Sequence, residues 1–368
     1  MIRVERISGG EDRYIAPLFA DDDGRDGEGA VFLQTGCNKS SLALNPATLE
    51  GREILHQLVA TADVFVVNLP EAALVKFGLD YDRLAALKPD LIYTSVSSFG
   101  STGPMANQGG FDGVGQAMSG AMYMTGTDGH PAKAAAPYVD YSTAVTAAFG
   151  TVAALYERER TGKGQKVEAS LLGTALAVFG SHLIEQGALG ADRIPSGNRV
   201  QTSAPSDVFA TTDGHVLTHV VGLGLFKRVA KLLGREEWLE DARFASDQAR
   251  GDHRDEICGV MADWCAARST DQAVQALAKA GVPSGKVNTL KEALEQPQVS
   301  AMEFLKPVSV PGMAAPAPVS DLPLNFSESA AGINAPPPQL GDANDTLLRE
   351  LGYSEADIAD MRDAGVLR

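Results

Sequence analysis

Between residues 45 and 97, short apolar runs alternate with amphipathic segments, and this alternation limits the fold more than any other feature of the chain. Val64-Phe65-Val66-Val67 and residues 91–96 read as buried strands, with helices expected over residues 45–59 and 82–87. Asn45-Pro46 would start the first helix as a capping side chain followed by proline, with Leu49, Leu55, Leu58 and Val59 as its buried face. Strands and helices in this order specify an α/β fold, a parallel sheet with helices on both faces. Ligands bind such sheets beyond the carboxyl ends of the strands, so Asn68 and the loop 97–104 are the first places to look for a site.

The remaining segments add to this frame. Ile2 to Val4 reads as a short strand, and Val31-Phe32-Leu33 and Ser41-Leu42-Ala43-Leu44 as two more around a turn. Residues 14–29, with Asp21-Asp22-Asp23, read as a solvated acidic loop. Residues 118–125 are expected to form a buried helix. A chain of 368 residues is expected to hold two domains, or one large α/β domain with an excursion. Loop-like composition over 187–205 marks the boundary. We therefore expect residues 1–190 to begin a large domain, 191–205 to link, and 206–305 to form a small α+β domain with a hairpin about Asp213-Gly214. Residues 306–368 would connect back to the large domain.

Bulk properties exclude several function classes. A net charge of -16 leaves no basic stripe for nucleic acid, and any anionic ligand must be held by a few local cations. The N-terminus has no signal-peptide core and no apolar run reaches membrane-spanning length, so no membrane role is expected. Cys37, Cys258 and Cys265 have no CxxC spacing, which points to a reducing compartment and the cytoplasm. The six histidines are scattered without a ligand motif, so no metal is expected. There is no GxSxG elbow and no dinucleotide fingerprint.

Carboxylate chemistry is left. Asp140 stands where an extended Ala/Pro run becomes a helix, whose apolar stripe is read as Ala144, Ala148 and Val152 with Val145, Phe149 and Leu155, packed on a core. At or near the N-cap its oxygens can accept backbone N–H groups, and the helix dipole favours the ionised form. That describes a structural cap and a carboxylate nucleophile equally well. Gly109-Gly110 and Gly222-Leu223-Gly224 are candidate oxyanion donors or plain turns.

IRVER, CNKSSLALN, ADVFVVN, FGLDYDRL, PDLIYTSVSSFGSTGP, GFDGVGQAMSG and ERERTGKGQKVEASLL, in this order, resemble the family III CoA-transferases, which include formyl-CoA transferase and the α-methylacyl-CoA racemases. The resemblance runs along almost the whole chain. It implies a Rossmann-like large domain, interlocked homodimers, and a CoA thioester as substrate with no permanently bound cofactor. It also implies an acyl-CoA and a carboxylic acid as the small-molecule partners. The family's acyl-accepting aspartate matches Asp140; Glu168 is an alternative that matches a strand position. The CoA pocket matches Arg6, Leu44, Asn68, Leu69 and Lys76, with Phe111 and Asp112 in the glycine-rich loop. The racemases carry a histidine in that loop, and this chain has none there, which favours transfer. His130 falls in a turn. The resemblance implies a further strand and helix ahead of IRVER, with a glutamine beside the aspartate, and relative to that pattern this chain is expected to lack both.

Overall fold

β1 (Ile2–Glu5) and β2 (Ser40–Ala43) pair in parallel, Ile2 opposite Ser40 and Glu5 opposite Ala43. Parallel neighbours cannot be joined by a tight turn; they need a crossover. That is why Val31-Phe32-Leu33, expected as a strand, lies instead in a helix, α1 (Ala30–Gly36), which buries Phe32, Leu33 and Gly36 on one face. The computed structural model describes residues 1–18 and 27–368, so Asp21-Asp22-Asp23 lies outside the described residues.

The crossover is not merely solvated. Arg13, 1% exposed, forks onto Glu5 at 2.7 and 2.8 Å, reaches Glu28 at 2.8 Å, and lies 4.0 Å over the Phe32 ring. Burial pushes the Glu5 carboxyl up, but hydrogen bonds from Arg13 and Ser41 and the charges of Arg13 and Arg3 overcome it and hold Glu5 at about 2. A buried ion tolerates desolvation only with such pairing.

α2 (Leu49–Thr61) starts later than Asn45-Pro46 suggested. Thr48 is the cap, its hydroxyl accepting the Gly51 amide at 3.0 Å, while Asn45 holds the preceding turn by accepting from Ala47. Leu49 is exposed in consequence; Ile54, Leu55 and Val59 are buried. β3 (Val64–Val67), α3 (Glu71–Phe77), α4 (Tyr81–Leu87) and β4 (Ile92–Ser97) follow, with β3 parallel to β4 as expected.

Residues 118–125 do not form the expected single buried helix. Gly120, at φ +86°, separates α5 (Asp112–Met118) from α6 (Ala121–Thr125), and Met118 and Tyr123 are exposed. Next come α7 (Tyr138–Thr161), β5 (Gln165–Ser170), which completes the sheet order β3-β4-β5, α8 (Leu171–Val178) and α9 (Gly180–Leu189). The stripe read on α7 is also corrected. Its buried positions are Val139, Thr143, Ala147 and Ala154, and small residues suit close packing, whereas Val145, Phe149 and Val152 are exposed within the chain.

β6 (Ser206–Ala210) and β7 (His215–His219) form the expected hairpin. Then α10 (Leu223–Leu233), α11 (Asp247–Asp252), α12 (Arg254–Ala266) and α13 (Thr270–Lys279) precede β8 (Ser284–Lys286), which pairs antiparallel with β7. Phe226, Trp238, Phe244, Met261 and Leu277 share one core there.

After α14 (Leu290–Leu294) and α15 (Pro297–Ala301), the Pro/Ala-rich connector contains an antiparallel pair, β9 (Leu305–Val308) and β10 (Ala317–Ser320), hidden from sequence by Pro307 and Pro318 facing each other. α16 (Asn344–Glu350) and α17 (Glu355–Asp363) end the chain. Leu348, Ile358 and Leu367 enter the same core as Leu42, Ile54 and Leu84.

The chain divides into two compact units, one of Met1–Ser95, Gly150–Val167 and Leu290–Arg368, the other of Val96–Phe149 and Glu168–Thr289. Among the described residues, no helix is long and apolar enough to cross a membrane.

Candidate active site

In the first unit, Arg6 directly follows β1, Leu44 follows β2, and Asn68 and Leu69 follow β3, all at carboxyl ends of parallel strands. Lys76 stands in the last turn of α3, which Gly78 stops in the left-handed conformation at φ +71°. Arg6, Asn68, Leu69 and Lys76 are exposed, and among the described residues Arg6 pairs with the exposed Glu11 at 3.3 Å. Leu44 differs. Its side chain is fully buried in the core, so only its backbone could meet a ligand.

In the second unit, Asp140 is the third residue of α7, in its first turn and exposed. It does not cap the helix, contrary to the sequence reading. The free amides at that end are taken by Asp112: its Oδ2 accepts the Val139 N–H at 2.7 Å and the Asp140 N–H at 3.2 Å. Gln116 donates to the other oxygen of Asp112, and its own Oε1 accepts the Ala134 amide at 2.9 Å. Asp112 is 6% and Gln116 1% exposed. The Asp112 carboxylate thus faces inward with both oxygens engaged by protein donors, whereas Phe111 beside it is exposed.

Close approach makes this possible. A Cβ on Gly115 of α5 would stand 2.9 Å from Val139 Cγ1, so glycine is required for α5 to reach the start of α7. α8 supports α5 through Ala175, and the Leu172 amide donates to the Ser98 carbonyl at 3.0 Å.

Electrostatics follow from the geometry. Burial first, and then the charge of Asp112, push the Asp140 carboxyl above the ordinary aspartate value, where the sequence reading invoked only the dipole's pull toward ionisation. Burial and the Asp140 charge likewise raise the Tyr141 hydroxyl. A carboxylate made more basic is a better nucleophile toward an acyl carbon once ionised.

Other candidates separate out. The Gly222 amide is occupied by both oxygens of Asp247, at 2.9 and 3.0 Å, so Gly222 is turn chemistry at the start of α10. His130 closes a tight turn with Thr127, and Glu168 lies on β5. Clefts of about 500 and 400 Å³, one containing Lys306 and Pro318 and the other Arg199 and Cys258, hold none of the candidate residues. No group of three or more His, Cys, Asp or Glu side chains is gathered for a metal among the described residues. Gln116 is the residue that sequence reasoning missed; its spacing of four from Asp112, one helical turn, was the available sign.

The model of CoA-transferase family III matches residues 1–344. Among curated proteins, succinate–glutarate CoA-transferase of Agrobacterium fabrum is 32% identical over 360 residues, covering 95% of this chain and 88% of its own. Succinyl-CoA–D-citramalate CoA-transferase of Chloroflexus aurantiacus is 32% identical over 335 residues, covering 90% and 83%. The crystal structure of a CAIB/BAIF family protein from Brucella suis aligns with a TM-score of 0.81 at 32% identity, covering 95% of this chain and 91% of the other.

Proposed function

The chain belongs to CoA-transferase family III, and from that premise we propose that it moves CoA from an acyl-CoA to a carboxylic acid through covalent intermediates on Asp140. One observation carries the reading: the accessible Asp140 carboxyl in the first turn of α7, its basicity raised by partial desolvation and by the Asp112 charge.

An Asp140 oxygen attacks the thioester carbonyl carbon, the C–S bond breaks, and a mixed anhydride and CoA thiolate result. The thiolate attacks the aspartyl carbon of the anhydride, releasing the donor acid and leaving an aspartyl-CoA thioester. The acceptor carboxylate then repeats the two steps in reverse order, and Asp140 is regenerated. No net proton, redox change or resident cofactor is needed, because CoA itself is the substrate.

Arg6, Asn68, Leu69 and Lys76 are proposed to hold the nucleotide and pantetheine, with Leu44 contributing only backbone and Phe111 flanking the reacting group. Arg6 and Lys76 are the local cations an acidic chain needs for phosphates. Residues 1–190 with 306–368 are proposed as the CoA-binding domain and 206–305 as the smaller one; a core confined to residues between Ala204 and Val282 supports the latter. Three free cysteines support work in the cytoplasm.

The working form is proposed to be a homodimer of interlocked chains. Val145, Phe149, Val152 and Tyr156, exposed by 70, 76, 63 and 70%, form one helical stripe on α7 that a second copy would cover.

Incubation of succinyl-CoA with a panel of carboxylic acids tests the activity, starting with small dicarboxylic acids because the relatives' names indicate that class. Acceptor-dependent CoA transfer that disappears in Asp140→Asn supports the reading. Exchange of the α-proton of a 2-methylacyl-CoA in deuterated water, without any acceptor acid, would assign the site to racemisation instead.

A further inference from the structure

We propose that Asp112 and Gln116 form a clamp that positions Asp140 for attack, Asp112 being a positioning residue of the transfer reaction rather than a CoA contact. The inference rests on the reading of Asp140 as nucleophile and adds the device that holds it.

The clamp has two jaws on one turn of α5. Asp112 Oδ2 takes the Val139 and Asp140 amides, so the backbone of the reacting residue is itself the thing held. Gln116 takes the Ala134 amide and so fixes the segment that leads into α7. The two side chains hold each other, since the Gln116 Nε2 donates to Asp112 Oδ1. Every polar atom of the pair named here has a partner, and both side chains are buried, so the unit is rigid in the way a fully satisfied network is rigid. A carboxylate at a helix start also sits where the dipole favours it, which offsets its burial.

The same placement acts on reactivity. Partial desolvation of Asp140 and then the Asp112 charge keep the Asp140 carboxyl more basic than a free aspartate. Tyr141 on α7 faces the Asp140 charge and Tyr138 the Asp112 charge; in the entry segment Lys133 donates its amine to the Ala134 carbonyl, and α8, packed behind α5, carries no ionisable side chain.

Hydrogen-bond polarity supplies a specific test. In Asp112→Asn one oxygen can still accept the helix amides, but the new NH₂ meets the Gln116 NH₂, and Gln116 cannot turn over without losing Ala134. Adding Gln116→Glu restores every bond, since the Glu accepts both from the Asn NH₂ and from Ala134. The experiment measures kcat and KM for the acyl-CoA across pH, in wild type, D112N, D112N/Q116E and D140N, with thermal unfolding of each.

The expected result is a fall in kcat of about tenfold or more in D112N with little change in KM, as small misplacement of a reacting group produces. In D112N the acid limb of kcat moves to lower pH, because loss of the Asp112 charge makes Asp140 easier to ionise. D112N/Q116E recovers most of kcat and of the melting temperature, and it carries the kinetic test if D112N does not fold. A folded D112N with unchanged kcat and acid limb overturns the clamp while D140N remains inactive. Transfer surviving in D140N overturns the premise and the clamp with it.

Discussion

The Asn344 side chain closes on Ala43: its Oδ1 accepts the Ala43 amide at 2.9 Å, and its Nδ2 reaches the Ala43 carbonyl at 3.4 Å and the Arg368 carbonyl at 3.2 Å. Asn344 is buried, and the strand end it pins is the one that leads into Leu44. The last turns of the chain are thereby part of the same core as β2, joined by Leu348 and Leu367.

Asn344→Ala strands the buried Ala43 N–H without an acceptor, whereas the Ala43 carbonyl keeps the Arg368 amide. The expected cost is about 2 kcal/mol, read from urea unfolding of wild type and variant. A variant as stable as wild type contradicts this role for Asn344.

The Glu5–Arg13 pair predicts a pH dependence with a definite sign. Glu5 is held at about 2 in the folded chain against 4.5 for the unpaired group. Its contribution is therefore complete above pH 4.5 and is lost as pH falls toward 2, on the order of 3 kcal/mol in all. Stability measured between pH 7 and pH 3 should fall less steeply in Glu5→Gln than in wild type. Parallel curves would mean that the pair does not carry the acid sensitivity.

Phe149 tests the proposed second copy. If the α7 stripe is an interface, Phe149→Glu places a charge in it, and sedimentation should show wild type as a dimer and the variant shifted toward monomer. A wild type that sediments as a monomer at micromolar concentration contradicts the homodimer.

Much of this was legible in the sequence because periodicity and burial agree there. The β3–β4 pair and the β6–β7 hairpin follow from alternation and turn chemistry close together in the chain. The misses come from effects at long range. Val31-Phe32-Leu33 has strand composition, but the parallel neighbour of β1 requires a crossover helix. Val145 and Phe149 have core composition, yet the face of α7 that the chain itself buries is made of smaller residues. Asp140 was correctly placed at a helix start, but its capping role belongs to Asp112, 28 positions away, which no local pattern could reveal.

If Asp140 becomes an acyl and then a CoA carrier, the covalent intermediate can be trapped on its side chain. The protein is incubated with an acyl-CoA, treated with borohydride, and mapped by peptide mass spectrometry. Reduction is expected at one side chain, Asp140, dependent on the acyl-CoA and absent in Asp140→Asn. An unmodified Asp140 in a preparation that transfers CoA, or reduction at another carboxylate such as Glu168, would contradict it.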